Sequence, residues 1–209
     1  LEATGAAHRG QLFTDPSIFP PLPLVDGNTV VETNPDQSLL TERYSARAIE
    51  FIETADDRPF FVMLAFNSPH VPLFAHPEFA GHTGLGLYAD VIEEIDWSTG
   101  EILSALRRAG LAENTFVFFT SDNGPWLTEG AQGGSAGLLR EGKGSTWEGG
   151  MRVPGIAWLP GRIRPAVTSD PASSLDLYPT DLALAGAPTP TGVALDGLDL
   201  LPHLATGTP

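Results

Sequence analysis

The stretch Thr115-Phe-Val-Phe-Phe-Thr-Ser-Asp-Asn-Gly124 decides how this chain is read. A run of apolar and β-branched residues stops abruptly at Asp122-Asn123-Gly124. Strands buried on both faces read as near-continuous apolar runs, and open α/β folds place their chemistry at the carboxyl ends of such strands. Two adjacent oxygen-bearing side chains at that point suit a hard metal ion. The competing reading is a hairpin turn, because Asn-Gly is a strong turn signal. A hairpin needs a second strand directly after the turn. Here Pro125 and a glycine-rich stretch follow, which pair poorly as a strand, so the metal or active-site reading is favoured.

Working outward, Phe60-Phe-Val-Met-Leu-Ala-Phe66 is a wholly apolar run between turn signals and is expected to be a buried strand, with Asn67-Ser-Pro-His70 at its carboxyl end. Residues 86–109 carry the clearest helical pattern. Tyr88, Val91, Ile92, Ile95, Ile102, Leu103 and Leu106 share one face, while Glu93, Glu94 and Glu101 lie largely on the other. Arg107 and Arg108 suit the negative end of the helix dipole, and Gly110 suits the C-cap. Strand, helix and the strand 116–120 make a βαβ-like unit, for which parallel pairing and a right-handed crossover are expected. Further out, a helix is expected from about Ser38 to Thr54, a strand over Gly155–Leu159 and a helix over Ser173–Ala185. Residues 10–36 read as surface loop with a short strand at Thr29–Val31, and the tail 196–202 shows no closing element. The fold class is α/β, a mixed, largely parallel sheet flanked by helices.

With 209 residues there is enough chain for one sizeable core. Hydrophobic residues make up 42%, yet no uninterrupted apolar run is long enough to span a membrane. The net charge of -15 argues against a basic nucleic-acid surface. Cysteine is absent, which excludes disulfides, thiolate metal sites and a cysteine nucleophile within the chain; it leaves the compartment open. The start, Leu1-Glu-Ala-Thr-Gly-Ala-Ala-His-Arg9, is not a signal peptide and has no initiator Met, so the natural N-terminus is expected upstream. Residues 124–150 contain nine glycines, and so long an irregular stretch in a compact domain is functional or disordered.

Four blocks now stand in order: Pro59-Phe-Phe-Val-Met-Leu-Ala-Phe-Asn-Ser-Pro-His70, Tyr88-Ala-Asp-Val-Ile-Glu-Glu-Ile-Asp96, Phe118-Phe-Thr-Ser-Asp-Asn-Gly124 and Gly142-Lys-Gly-Ser-Thr-Trp-Glu-Gly-Gly-Met-Arg-Val-Pro154. The series resembles the type I sulfatases of the alkaline phosphatase superfamily, closest to the arylsulfatase A and N-acetylgalactosamine-6-sulfatase branch. Gln132-Gly-Gly-Ser-Ala-Gly137 strengthens that placement. The resemblance implies an alkaline phosphatase-like sulfatase fold and hydrolysis of a sulfate ester on a sulfated small molecule or glycan. It implies that Asp122 and Asn123 bind a calcium ion, and that His70 and Lys143 contact the sulfate as catalytic and substrate-binding residues. A dianionic transition state needs positive charge and donors aimed at its oxygens.

The family's nucleophile is a formylglycine made from Cys or Ser in a Cys/Ser-X-Pro/Ala-X-Arg motif, and no such motif occurs in this chain. The paired aspartates that complete the calcium shell, and a block bearing a further Lys and His, are also missing. Residues 1–165 are therefore expected to be the second half of a sulfatase catalytic domain, and 166–209 the truncated start of its C-terminal subdomain. The alternatives are a phosphomonoester or phosphonate hydrolase of the same superfamily, or a catalytically inactive fragment. By resemblance, a periplasmic, secreted or lysosome-like compartment is compatible. His76 and His82 are read as loop residues, and His8 and His203 as structural or exposed. Glu148 and Arg152 are read as a brace of the loop. Trp147 has two open readings, lining a substrate pocket or simple packing. Asp90, Glu93, Glu94 and Asp96 read as a mainly solvated helix face, preferred over a glycosidase-type carboxylate pair.

Overall fold

The computed structural model describes residues 20–206; the start of the chain, including His8, lies outside the described residues. Strands β1 (Pro23–Asp26) and β2 (Thr29–Thr33) form an antiparallel hairpin. Its two-residue loop opens on Gly27 at φ +59, a conformation that favours glycine. Two helices follow, α1 (Leu40–Glu53) and α2 (Leu87–Arg108), at the positions the apolar stripes predict.

The long helix α2 is the axis of the molecule. Its first half buries Val91 and Ile95 against Leu73 and Ala75, with Phe66, Phe79, Tyr88 and Phe119 around them. Its second half buries Ala105 and Leu106 against Ile52 of α1, with Phe60, Val117 and Trp158 at the margin. Between these apolar zones the helices meet through small polar residues. The Ser45 and Ser98 hydroxyls hydrogen-bond each other, and Ser45 Oγ donates to the Thr41 carbonyl at 2.6 Å. Each buried hydroxyl thus has a partner, as buried polar groups require. The helix ends are also tied: Arg108 Nη2 meets Glu53 Oε1 at 2.8 Å, and the Arg107 guanidinium lies 5.5 Å from the centre of the Trp158 ring.

The sheet departs from expectation. Strands β3 (Val117–Thr120) and β4 (Gly155–Trp158) form where the two apolar runs predict strands, but they pair with each other, in an antiparallel ladder. The segment 60–66 is not a ladder strand among the described residues, and parallel pairing does not occur there. Nor is that segment buried: Phe60, Leu64 and Phe66 are half covered, while Phe61 is 75% and Met63 79% exposed. One side of the run rests on the helices. The other would need neighbouring strands, which residues 20–206 do not place there. An all-apolar run carries no periodicity to reveal such one-sided cover.

The helix face of α2 needs a second correction. Asp90 and Glu94 are 2% and 1% exposed, so the solvated-face reading fails at these two positions. The loop 75–83 folds over them. Asp90 accepts hydrogen bonds from Thr83 Oγ1 at 2.6 Å, Gly81 N at 2.9 Å and Thr83 N at 3.0 Å. The Thr83 hydroxyl, then the Gly81 amide, hold its carboxyl below the usual carboxylate range. Glu94 Oε2 accepts from His76 N at 2.9 Å, but Glu94 Oε1 is buried with no hydrogen-bond partner. The His76 amide opposes the penalty of this burial. Burial outweighs it and pushes the Glu94 carboxyl up.

The folded pKa of Glu94 therefore lies above the unfolded one. Its contribution is most favourable below the unfolded value and is lost as pH rises through the folded value. Glu94→Gln is expected to cancel this loss, so the stability difference between variant and wild type grows in the variant's favour as pH climbs from about 4.3, the ordinary Glu value. Urea unfolding at a series of pH values checks it; parallel profiles for the two proteins would contradict the buried-charge account.

Helix α3 (Glu148–Met151) is a single turn closing the glycine-rich loop. Helix α4 (Leu177–Ala185) is preceded by a capping box in which Ser173 Oγ accepts from Leu175 N and Asp176 Oδ2 from Ser173 N. The tail is tied down after all. Leu198 N donates to Asp176 Oδ1 and Leu200 N to Thr180 Oγ1, both at 2.8 Å, and a short helix α5 (Leu201–Thr206) ends the described chain.

Candidate functional site

Strand β3 delivers Asp122 and Asn123 beyond its carboxyl end, where Thr120 Oγ1 anchors the exit to the Pro154 carbonyl at 3.0 Å. Asp122 is exposed, and its Oδ1 receives only a 3.4 Å contact from Ser121 Oγ. Asn123 Nδ2 donates to the Gly124 carbonyl at 3.1 Å, which leaves its side-chain oxygen for other use. The hairpin alternative is gone, because no strand follows the Asn-Gly pair; residues 127–132 are 3₁₀-helical turns. Asp122 and Asn123 fit a hard cation in kind, being oxygen ligands at a strand end. In number they fall short, since no group of three or more acidic, His or Cys side chains able to hold a metal is assembled among the described residues.

The loop 124–151 owes its compactness to glycine. An added Cβ on Gly124 would lie 1.8 Å from the Gly149 carbonyl oxygen, one on Gly149 2.0 Å from that of Glu141, and one on Gly142 2.4 Å from that of Pro125. Backbone hydrogen bonds run through the same contacts: Gly124 N to Gly150 O at 3.0 Å, Gly149 N to Arg140 O at 2.8 Å, Lys143 N to Pro125 O at 2.8 Å. The loop closes on the end of β3 and so carries Lys143 to the stretch that follows Asp122 and Asn123. Glu148 and Arg152 brace it as expected, with a 2.8 Å ion pair. Trp147 packs under the Arg140 guanidinium, 3.7 Å from its ring centre, and stays half exposed.

His70 and Lys143 come together on a residue the sequence reading passed over. The His70 ring lies 5.4 Å from the Trp126 ring, inclined at 56°, and Lys143 Nζ lies 5.0 Å from the same ring. His70 Nδ1 is engaged with the Val71 carbonyl at 2.7 Å, which leaves Nε2 as the free nitrogen. Neither side chain pairs with a carboxylate among the described residues. Five of the arginines do: Arg43, Arg47, Arg58, Arg108 and Arg152. Two signals in the sequence pointed here. Trp126 follows the Asp-Asn-Gly-Pro turn directly, and Lys143 is the sole lysine of the chain, where every other cation is arginine. His76 and His82 stand apart. His76 Nε2 is 3.5 Å from Glu42, and His82 pairs with Glu93 at 2.8 Å, a hydrogen bond that raises the imidazole above its ordinary value.

Comparison with known proteins follows the same lines. The family described as Sulfatase matches residues 9–187. The chain is 46% identical over 186 residues to arylsulfatase A of Homo sapiens, covering 88% of this chain and 36% of that protein. It is 48% identical over 173 residues to N-acetylgalactosamine-6-sulfatase of Canis lupus familiaris, covering 80% and 33%. Among solved structures, Ps i-CgsB in complex with k-i-k-neocarrahexaose superposes with a TM-score of 0.74 at 32% identity, over 99% of this chain and 46% of that one. The chain spans about a third of the length of the curated relatives it matches. With residues 9–187 matched and nearly half of the aligned positions identical to named sulfatases, the chain belongs to the sulfatase family.

Proposed function

We propose that this chain supplies the calcium-side and sulfate-side residues of a sulfuric ester hydrolase acting on a sulfated glycan or small molecule. The observation that carries the reading is the meeting of His70 and Lys143 on Trp126, one loop turn from Asp122 and Asn123. In a chain of net charge -15, an anionic substrate needs local positive charge that acids have not neutralised. Lys143 meets that need, because it rests on a neutral ring. Its ammonium balances charge on the sulfate oxygens as the S–O bond breaks. His70 Nε2, left free by the Nδ1 contact, donates to a sulfate oxygen when the ring is protonated. Asp122 and Asn123 contribute two oxygens toward calcium, which prefers about 6–8. When present, calcium supplies further positive charge and a formylglycine outside this sequence supplies the nucleophile.

The same reading extends to the frame. Residues 1–165 belong to the second half of the catalytic domain and 166–209 to the start of a C-terminal subdomain. The bare side of segment 60–66 receives strands of a larger, mostly parallel sheet.

Calorimetric titration with calcium tests the metal assignment. Weak binding is expected from the 209-residue chain, lost in Asp122→Ala; tight binding that survives Asp122→Ala places the ion elsewhere. Aryl sulfate hydrolysis tests the reaction. Turnover is expected when these residues are joined to a formylglycine-bearing segment, and none from the 209-residue chain alone. A joined enzyme inert to sulfate esters but active on phosphate or phosphonate esters reverses the assignment.

A further inference from the structure

We propose that Trp126 is a positioning residue that holds the His70 imidazole and the Lys143 ammonium on one indole as a single anion-receiving pair. The proposal rests on the reading of His70 and Lys143 as sulfate contacts and adds a third residue, which touches them rather than the substrate.

Acidic side chains outnumber Lys and Arg by 26 to 11, so a cation left without a carboxylate has avoided abundant partners. A carboxylate would hold the ammonium but also neutralise it and compete with an anionic ligand. An indole attracts the cation through its quadrupole and leaves the net charge in place. Lys143 Nζ lies 5.0 Å from the Trp126 ring centre, and the His70 ring lies 5.4 Å from it. One neutral surface thus gathers two donors from segments more than 70 residues apart in sequence.

The platform itself is held. The Trp126 carbonyl accepts from Glu129 N at 3.0 Å and sits where a Cβ on Gly133 would be, at 1.9 Å. On the other side the Pro125 carbonyl accepts from both Leu127 N at 3.1 Å and Lys143 N at 2.8 Å. With its backbone fixed, the indole retains two side-chain torsions, whereas the lysine stem has four. Settling the ammonium on the ring removes freedom that an anion would otherwise have to remove on binding. Trp126 is 36% exposed, so its surface is not sealed by these contacts.

The chain's single lysine makes a direct test possible. Reductive ¹³C-methylation labels Lys143 and the α-amino group alone. The His70 ring signal is assigned by its loss in His70→Gln. Sodium sulfate is titrated against sodium chloride at matched ionic strength and constant pH. In wild type, both resonances are expected to shift with one shared half-saturation. Trp126→Leu is expected to weaken that half-saturation at least fivefold and to split the two responses, with thermal unfolding as the control. Trp126→Phe restores a shared value within about threefold of wild type, since an aromatic face remains. A folded Trp126→Leu protein that keeps the shared half-saturation overturns the proposal and leaves the anion site standing. If neither wild-type resonance answers to sulfate, the anion site falls and the proposal with it. Should Trp126→Leu not fold, Trp126→Phe decides: separate half-saturations at His70 and Lys143 overturn the pairing, and a shared one supports it.

Discussion

Lys143→Ala is expected to lower kcat/KM on an aryl sulfate by about 10²–10³ in the sulfatase that carries these residues, the cost typical of removing one preorganised donor, ~3–4 kcal/mol. The fold should hardly change. The ammonium contributes an exposed cation–π contact with Trp126, about 0.5–1 kcal/mol, and the backbone bond from Lys143 N to Pro125 O survives the substitution. Lys143→Arg is expected to recover only part of the loss. A guanidinium keeps the charge but replaces a compact point charge with a planar fork, and it stacks on an indole differently from an ammonium. Arg140 shows the alternative within the same loop, at 3.7 Å over Trp147. Steady-state kinetics alongside thermal unfolding separate the two effects. A well-folded Lys143→Ala enzyme with near-native kcat/KM would return Lys143 to the class of solvated loop lysines.

How far these features were legible in the sequence depended on whether local pattern or distant contact decided them. Helix α2 was readable almost to its ends, because its apolar stripe and terminal arginines are properties of the segment itself. Strands β3 and β4 were readable as strands but not as an antiparallel pair. Their partnership is made across a loop of more than 30 residues, and apolar runs carry no direction. Segment 60–66 misled for the related reason that burial is a property of neighbours. Asp90 and Glu94 were misplaced because a charge on a helix face normally seeks water, and nothing in the helix announces that loop 75–83 will cover it. At the site, the Asp-Asn-Gly turn and the lysine block named Asp122, Asn123 and Lys143, and the block ending in His70 named the fourth. Trp126 escaped notice because an aromatic residue in a loop has no periodic signature, although its place beside the turn was in plain sight.

Gly124→Ala is expected to be the most destabilising single substitution in the loop, by about 3 kcal/mol or more, at or above the top of the usual overpacking range. The added methyl would sit 1.8 Å from the Gly149 carbonyl oxygen and 2.8 Å from its carbon. Both are backbone atoms, so no rotamer change relieves the clash and the two chain segments must part. Parting them strains the Gly124 N to Gly150 O bond. The disturbance then spreads, because Gly149 is itself closed against Glu141, and Gly142 against Pro125, with Lys143 N bonded to the same carbonyl. Loss of packing and loss of lysine placement should therefore arrive together, seen as a fall in Tm of roughly 6–12 °C at ~2–4 °C per kcal/mol and as weaker sulfate response at Lys143. Gly100 supplies the control, since it lies within α2 with nothing within 4 Å of an added Cβ. Gly100→Ala should stabilise by up to about 1 kcal/mol through helix propensity. Opposite signs for the same chemical change would separate close approach from chain entropy. A Gly124→Ala protein within about 1 kcal/mol of wild type would mean that the loop opens freely at this contact, and that Lys143 is placed by something other than the glycine closure.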